Sequence, residues 1–166
     1  MGAYVKLKTD HNLEVIIMDV QSFFEQAKTT LKLTQSTPLQ SAYQFGSDPD
    51  KLAQLVLTGT KTATTSAYDL YETDEPLPKV GAYDVILDAH NQPVCVTRTD
   101  QVMITPYLDI DATHAYLEGE GDRTYAYWRR VHDAFFKQEY QSEHQRFDPH
   151  TAQMVLERFH VVYPVH

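Results

Sequence analysis

Apolar residues recur at two different spacings along the chain, and the spacing separates predicted helices from predicted strands. Three stretches have the interval of three or four residues that is typical of an amphipathic helix. They are "DVQSFFEQAKTTLKL", "SDPDKLAQLVLTG" and "DRTYAYWRRVHDAFFKQEY". Asp19 is the candidate cap of the first helix, and Ser47 or Asp48 caps the second, which Gly59 terminates. "ATHAYLEGEGD" indicates a further, short helix.

The other apolar residues lie in stretches that favour extended backbone. "KTATTSAY" is rich in threonine, "YDVILDAHNQPVCVTRTDQVMIT" has the pattern of a hairpin, and "AQMVLERFHVVYP" predicts a closing strand. Because strands outnumber long helices and do not alternate regularly with them, a doubly wound sheet is not expected. The pattern predicts an α+β fold, a small mixed β-barrel with peripheral helices. We expect residues 1–35 to form an appendage with one helix, and residues 36–166 to form the main domain.

Composition and charge narrow the class of protein. The chain has 166 residues, and 14 basic against 23 acidic side chains give a formal charge of -9. This balance offers no broad cationic surface for long nucleic acid, although a local basic pocket stays compatible with it. No apolar stretch approaches the roughly 18 residues of a membrane span, and the single cysteine, Cys95, excludes an internal disulfide. We therefore predict a cytoplasmic protein with no membrane partner.

The stretch "GTKTATTS" places Lys61 directly after the predicted end of a helix. On a regular strand, Lys61 and Thr64 are three positions apart and point to opposite faces. They converge only if Lys61 still belongs to the turn after Gly59, or if a bulge intervenes. Spacing alone therefore favours a solvated, Thr-rich strand with a surface lysine.

An acidic segment and an aromatic helix supply the other candidate residues. Glu118 and Glu120 lie near His114, but their spacing matches neither an EF-hand loop nor an HExxH pattern, so we predict no metal site. In the following helix, Arg123 and Trp128 belong to a mixed basic and aromatic set of the kind that stacks bases and holds phosphates. The alternative for Trp128 is a place in the core.

Taken together, these stretches resemble the ASCH domain family, and within it a larger bacterial branch. The resemblance covers residues 41–164 and rests on the motifs GxKTxT and GEGDRxxxYWR. It implies a PUA-like fold, related to RNA-binding domains. Some small members of the family remove the acyl group from acetylated cytidine, and others are reported to cleave RNA. The amidohydrolase members use a Lys and a Thr in GxKTxT and a Glu in an HAxxE segment, which correspond to Lys61, Thr64 and Glu118.

The resemblance implies a pocket for a nucleoside-sized ligand or RNA. The main hypothesis is hydrolysis of an N-acylated, cytidine-type nucleoside without a cofactor. The alternatives are a metal-independent ribonuclease, which would use Lys61 with a tyrosine or His132, and a non-catalytic RNA-binding module. We expect the pocket wall to include four further side chains, Tyr68, Arg98, Arg123 and Trp128. The N-terminal helix either packs on the barrel or forms a homodimer.

Two assignments of catalytic roles fit Lys61, Thr64 and Glu118. In the first, the Thr64 hydroxyl attacks the acyl carbon, Lys61 accepts its proton and Glu118 orients the lysine. In the second, a charged Lys61 stabilises an oxyanion while Glu118 is the base. A free lysine has a pKa of about 10.4, so the first mechanism requires a depression of roughly 3 units near neutral pH. Burial lowers the pKa of a lysine, whereas an adjacent carboxylate raises it.

Overall fold

The secondary structure follows the predicted order along the chain. A computed structural model describes residues 4–5 and 13–164, with side chains from residue 20 onward. The helices are α1 (Leu13–Leu31), α2 (Pro49–Leu57), α3 (Ala112–Glu118) and α4 (Tyr125–Ser142). The strands are β1 (Tyr4–Val5), β2 (Leu39–Phe45), β3 (Ala63–Ala67), β4 (Tyr83–Leu87), β5 (Pro93–Pro106) and β6 (Gln153–Tyr163). Short 3-10 turns at Tyr68–Leu70 and Tyr107–Asp109 follow β3 and β5.

The strands form one mixed sheet with the order β1-β2-β4-β5-β6-β3. Only β2 and β4 pair in parallel among the described strands, and the hairpin of β4 and β5 is antiparallel as predicted. The sheet curls into a half-barrel whose described edges are β1 and β3. The predicted α+β fold, a PUA-like small mixed barrel with peripheral helices, is therefore confirmed.

Strand β4 shows how helices cover both faces of the sheet. Successive side chains of a strand point to opposite faces. Val85 and Leu87 accordingly pack in a buried cluster with Phe24 of α1, whereas Ile86 packs in a second cluster with Leu52 of α2. A third cluster joins α3 and α4 to the ends of β3 and β6. The N-terminal helix thus packs on the sheet, which was one of the two expectations for it.

Two helix starts test the capping signals. Asp48 caps α2 as predicted, because its side chain accepts a hydrogen bond of 3.2 Å from the backbone nitrogen of Lys51. The predicted cap at Asp19 is wrong, because α1 already begins at Leu13. The residues between Leu13 and Asp19 include good helix formers and no glycine or proline, so nothing in that stretch stops the helix. The predicted domain boundary after residue 35 stays a prediction.

Candidate functional site

The end of helix α2 turns Lys61 into the protein. Gly59 has a φ of +73°, a left-handed conformation that favours glycine, and it reverses the chain after the helix. The backbone nitrogens of Thr60 and Lys61 then both donate to the carbonyl of Leu55, at 2.9 and 2.8 Å. Lys61 is only 1% exposed as a result. The surface lysine favoured by spacing alone is therefore wrong, because Lys61 belongs to the turn and precedes strand β3.

A second glycine brings Glu118 to this turn. Gly119 ends α3 with a φ of +75°, and a Cβ at this position would overlap the carbonyl oxygen of Thr60. Only a residue without a side chain allows the two backbones to approach this closely. The backbone nitrogen of Thr62 also donates to the carbonyl of Leu117 at 2.8 Å. The GxKTxT segment and the end of α3 are thus joined through their main chains.

The ammonium group of Lys61 lies between two carboxylates. Its Nζ is 3.3 Å from Oε2 of Glu118 and 3.0 Å from Oε1 of Glu120. It also donates to the carbonyl of Glu118 at 3.4 Å and lies 5.0 Å from the centre of the Phe45 ring. The lysine side chain and that of Glu118 are fully buried, whereas the side chain of Glu120 is 12% exposed. Both acidic candidates therefore contact Lys61, and only Glu120 reaches the surface.

Glu118 accepts hydrogen bonds from side chains on three elements. Its Oε1 accepts from Oγ1 of Thr65 at 2.5 Å and from the indole nitrogen of Trp128 at 3.0 Å. The same oxygen lies 3.2 Å from Nε2 of His114, and Oε2 lies 3.5 Å from Nε2 of His132. Such a set of donors and cations compensates for the loss of water around a buried carboxylate.

The environment separates the acid-base states of these groups. Burial acts to raise the pKa of Glu118, but the positive charge of Lys61 and a hydrogen bond from His114 hold that pKa well below its usual range. Burial lowers the pKa of Lys61, and the opposing effect of Glu118 is smaller. Burial also lowers the pKa of His132 more than Glu118 raises it. Glu118 is thus held as a carboxylate, while the lysine is moved toward its neutral form.

Hydrogen bonding assigns the tautomer of His132. Its Nδ1 lies 2.9 Å from the carbonyl oxygen of Trp128, which can only accept, so Nδ1 carries a proton. In the neutral ring, Nε2 therefore presents a lone pair toward Glu118. This nitrogen is buried and has no hydrogen-bond partner among the described residues. His132 also stacks on Trp128, with ring centres 4.1 Å apart.

Strand β3 separates the two threonines of the motif. Thr65, not Thr64, donates to Glu118, and it lies four residues after Lys61. Thr64 is buried, pairs in register with Glu157 of β6, and by strand alternation points to the other face of β3. The role of Thr64 as a nucleophile stays a prediction. Sequence reasoning missed Thr65 and His114, and the spacing HxxxE in α3 was a usable signal for His114.

The four residues expected in the pocket wall occupy different environments. Trp128 is 2% exposed and contacts Glu118, so it combines a core position with a place at the site. Arg123 lies 3.7 Å from the centre of the Tyr116 ring and donates to the carbonyls of Tyr116 and Thr60 at 3.1 and 3.4 Å.

Tyr68 and Arg98 are not brought to the buried pair. Tyr68 is 39% exposed on the turn after β3. Arg98 is exposed on β5, in register with Tyr83 and His160. Neither side chain has a hydrogen bond or ion pair with Lys61 or Glu118, and their predicted contact with substrate stays untested.

A small cavity lies beside Glu120, the partly exposed carboxylate that contacts Lys61. Its volume is about 180 Å³, and Glu120, Gly121 and Tyr127 line it on one side. The other side is formed by the first turns of α2 and by Val131 of α4. Pockets that enclose drug-sized ligands have volumes of about 300–1,000 Å³. This cavity is smaller than such pockets, so it suits only a compact group, such as an acyl group, beside Glu120.

A second cluster of titratable side chains joins the start of α2 to the turn between β4 and β5. Ligand atoms of Asp50, Asp88 and His90 lie within 4.8 Å of one another. The two carboxylates are engaged with backbone: Asp50 accepts from the nitrogen of Ala89, and Asp88 accepts from that of His90, each at 2.8 Å. The cluster therefore closes the turn between β4 and β5 against α2.

Comparison with known proteins assigns the family. The model of the ASCH domain matches residues 41–163, about three quarters of the chain. The chain belongs to the ASCH domain family. The predicted resemblance is thereby confirmed, and the match includes Lys61, Glu118 and all of their described side-chain partners.

Solved ASCH structures have the same architecture. An ASCH domain from Lactobacillus crispatus JV V101 is 29% identical, with a TM-score of 0.81 over 88% of this chain and 95% of that chain. A protein from Enterococcus faecalis V583 is 34% identical, with a TM-score of 0.76 over 90% and 97% of the two chains. No curated protein matches the sequence significantly. The helices of the described residues are all too short or too polar to cross a membrane.

Proposed function

We propose that this ASCH protein is a hydrolase that removes an acyl group from an N-acylated, cytidine-type nucleoside. The observation that carries the proposal is the fully buried lysine between Glu118 and Glu120, the second of which lines a small cavity. Placing a lysine and two carboxylates in a protein interior is costly and needs compensating contacts. Titratable groups with shifted pKa values beside a cavity are typical of catalytic sites.

The directions of the pKa shifts favour Lys61 as the base. Burial lowers the pKa of Lys61, which increases the neutral fraction that can accept a proton. The pKa of Glu118 lies well below its usual range, so this carboxylate is a weak base and is suited to orienting the lysine. This assignment of roles is the first of the two that the sequence left open.

The reaction then has two balanced stages. A threonine hydroxyl of the GxKTxT segment attacks the acyl carbon and transfers its proton to Lys61. The family resemblance assigns this role to Thr64, whereas Thr65 is the threonine that faces Glu118 in the structure. The carbon–nitrogen bond breaks, Lys61 returns the proton to the leaving nitrogen, and the acyl group is left on the threonine. Water then attacks this ester, Lys61 accepts a proton from the water and passes it to the threonine oxygen, and the carboxylic acid is released. Tyr127 supplies an aromatic side chain at the cavity wall against which a base can stack.

Release of cytidine from acetylated cytidine tests the proposal. We expect the wild-type protein to release cytidine in the presence of a chelator, and Lys61→Ala to lose at least about a thousandfold in rate, in line with losses at residues that act as a unit. Lys137→Ala, which removes an exposed lysine of α4, is the matched control and should keep its rate. Valine at the nucleophilic threonine, Thr64→Val or Thr65→Val, should abolish activity, and serine at the same position should keep it. An active Lys61→Ala protein would contradict the proposal.

RNA binding is a second candidate, and exposed aromatic–arginine pairs favour it. Arg123 stacks on Tyr116, which is 52% exposed, and Arg130 lies 5.4 Å from the centre of the Tyr127 ring. Such pairs stack single-stranded bases with little sequence preference. A short oligonucleotide should then bind with an affinity that falls with salt, and Arg123→Gln should weaken it. If the affinity depends neither on salt nor on Arg123→Gln, this surface is not an RNA-binding site.

A further inference from the structure

A second cleft adjoins the GxKTxT segment and is not used by the proposed reaction. Its volume is about 620 Å³, and it lies where β5, β6 and the end of α3 meet. Six residues line it, namely Thr62, Asp100, Gln101, Leu117, Arg158 and Phe159. Thr62 directly follows Lys61 in the chain, and Leu117 directly precedes Glu118. The cleft is therefore joined to the candidate site through both of its motifs.

Arg158 is the principal cation of this cleft. It is partly buried in the middle of β6, in register with Ala63 of β3 and Gln101 of β5. Its Nε is buried and has no hydrogen-bond partner among the described residues. The guanidinium group also forms no ion pair with any described carboxylate, whereas Lys61 and Arg129 both do. A buried N–H without an acceptor is unfavourable, so a ligand that supplies an acceptor to Arg158 is favoured.

The other charges of the cleft do not compensate Arg158. Asp100 lies in the cleft, but its Oδ2 is 2.7 Å from Nδ1 of His160, and the two side chains are about half exposed. The amide of Gln101 donates to the sulfur of Met103 at 3.3 Å. Asp100 and His160 thus form a pair with each other, which leaves the positive charge of Arg158 available in a protein of overall charge -9.

We propose that this cleft binds a phosphate group, held by Arg158. A guanidinium donates two parallel hydrogen bonds to phosphate oxygens, which a buried lysine cannot do. The second N–H of the Gln101 amide is a further donor at the cleft wall, whereas the hydroxyl of Thr62 donates to the carbonyl of Leu117 at 3.4 Å. The phosphate belongs either to a mononucleotide or to an RNA strand. This site does not depend on the hydrolase reaction, because it uses none of its catalytic residues.

Nuclear magnetic resonance of the arginine Nε–H groups tests the site directly. The buried Nε–H of Arg158 should give a signal protected from solvent exchange, which Arg158→Lys identifies by its loss. Titration with inorganic phosphate should shift this signal in a saturable way, while the same ionic strength of sodium chloride should not. Arg146, an exposed arginine, is the internal control whose signal should follow only ionic strength.

Affinity measurements then distinguish the two sources of phosphate. For a mononucleotide, we expect cytidine 5′-monophosphate to bind at least about tenfold more tightly than cytidine, an advantage that Arg158→Gln removes. For RNA, a uridine oligonucleotide should bind more tightly than the mononucleotide, and Arg158→Gln should reduce the salt dependence. Arg158→Lys keeps the charge and serves if Arg158→Gln does not fold.

The outcomes test the phosphate site and the hydrolase reaction independently of each other. If Arg158 responds to phosphate but acetylated cytidine is not hydrolysed, the phosphate site stands and the proposed reaction fails. If cytidine is released but neither inorganic phosphate, the mononucleotide nor the oligonucleotide shifts the Arg158 signal, the phosphate site is wrong. A shift equal to that of Arg146 would also overturn it.

Discussion

Two glutamates that the fold shields from water have opposite acid-base properties. Glu118 at the end of α3 is completely buried, yet its pKa is held well below the usual range. Glu139 in α4 is less buried, yet burial, with a smaller contribution from Glu143, raises its pKa to about 7. The deeper carboxylate is thus the stronger acid, which is the reverse of what burial alone produces.

The difference lies in the neighbours of the two side chains. Glu118 has an ammonium group at 3.3 Å, a hydroxyl at 2.5 Å and an indole nitrogen at 3.0 Å. Oε2 of Glu139 is buried without a hydrogen-bond partner among the described residues, and the charge that contributes to its pKa shift is that of another glutamate, Glu143. The polar contacts of the fold therefore keep Glu118 ionised and do not do so for Glu139. Glu118 therefore belongs to a site whose contacts stabilise its charge, whereas the fold destabilises the charged form of Glu139.

Of the substitutions that test this comparison, removal of Lys61 should reduce the stability of the protein most. Lys61→Met keeps the length of the side chain but leaves Glu118 buried without its nearest cation. We expect the free energy of unfolding at pH 7 to fall by about 3–5 kcal/mol, as for other broken buried pairs. Urea denaturation followed by tryptophan fluorescence measures this loss, because Trp128 is the only tryptophan and contacts Glu118.

The double variant Lys61→Met/Glu118→Gln is the control for that prediction. It removes both charges, so it should recover a large part of the stability lost in Lys61→Met. Equal stability of the single and double variants would show that the ion pair is not the cause of the loss. The pair would then no longer explain why Glu118 and Glu139 differ.

The general fold and the elements that carry the site could be predicted from the sequence, but the approach of Lys61 to Glu118 could not. The pattern predicts that Gly59 ends α2 and that Gly119 or Gly121 ends α3, and in the structure α3 ends at Gly119. Periodicity does not reveal that the end of α3 lies against Thr60, because that contact depends on how α2 and α3 are placed around the sheet. The family resemblance supplied this pairing, since it assigned Lys61 and Glu118 to one site.

One further contact of the site could be predicted from local spacing. His114 lies one helical turn before Glu118, so the two side chains share a face of α3. Alternation in β3 separates Thr64 from Thr65, and the resemblance alone favoured Thr64. The lack of a hydrogen-bond partner for Nε of Arg158 among the described residues has no sequence signal, because it depends on which side chains of β5 and α3 lie nearby.

Removal of the Thr65 hydroxyl tests one of the donors that distinguish Glu118. Thr65→Val keeps the shape of the side chain but leaves Oε1 of Glu118 without its closest donor. Hydrogen bonds to charged groups contribute about 1.5–3 kcal/mol, so we expect a loss of ~2 kcal/mol in urea denaturation at pH 7. Thr65→Ser retains the hydroxyl and should lose less than half of that. If both variants are equally destabilised, packing rather than the hydrogen bond is responsible.

Glu139→Gln should give the smallest effect, with the opposite sign. The pKa of Glu139 is about 7 in the folded protein and 4.5 for a glutamate free in water, so the folded protein binds more protons between these values. Stability from this group therefore falls as pH rises from about 4.5 to about 7, and the penalty is complete above that range. Because the glutamine side chain stays neutral, the variant should be more stable than wild type by ~1 kcal/mol at about pH 8, after allowance for partial exposure.

The pH dependence of that gain decides whether ionisation causes it. Near pH 4.5 the carboxyl group of Glu139 is protonated in the folded protein, so the variant and the wild type should be nearly equal in stability. Urea denaturation at both pH values measures the gain, with Glu143→Gln expected to give only a part of it. If the gain is the same at both pH values, the carboxylate charge of Glu139 does not cause it. The contrast with Glu118 would then not depend on ionisation.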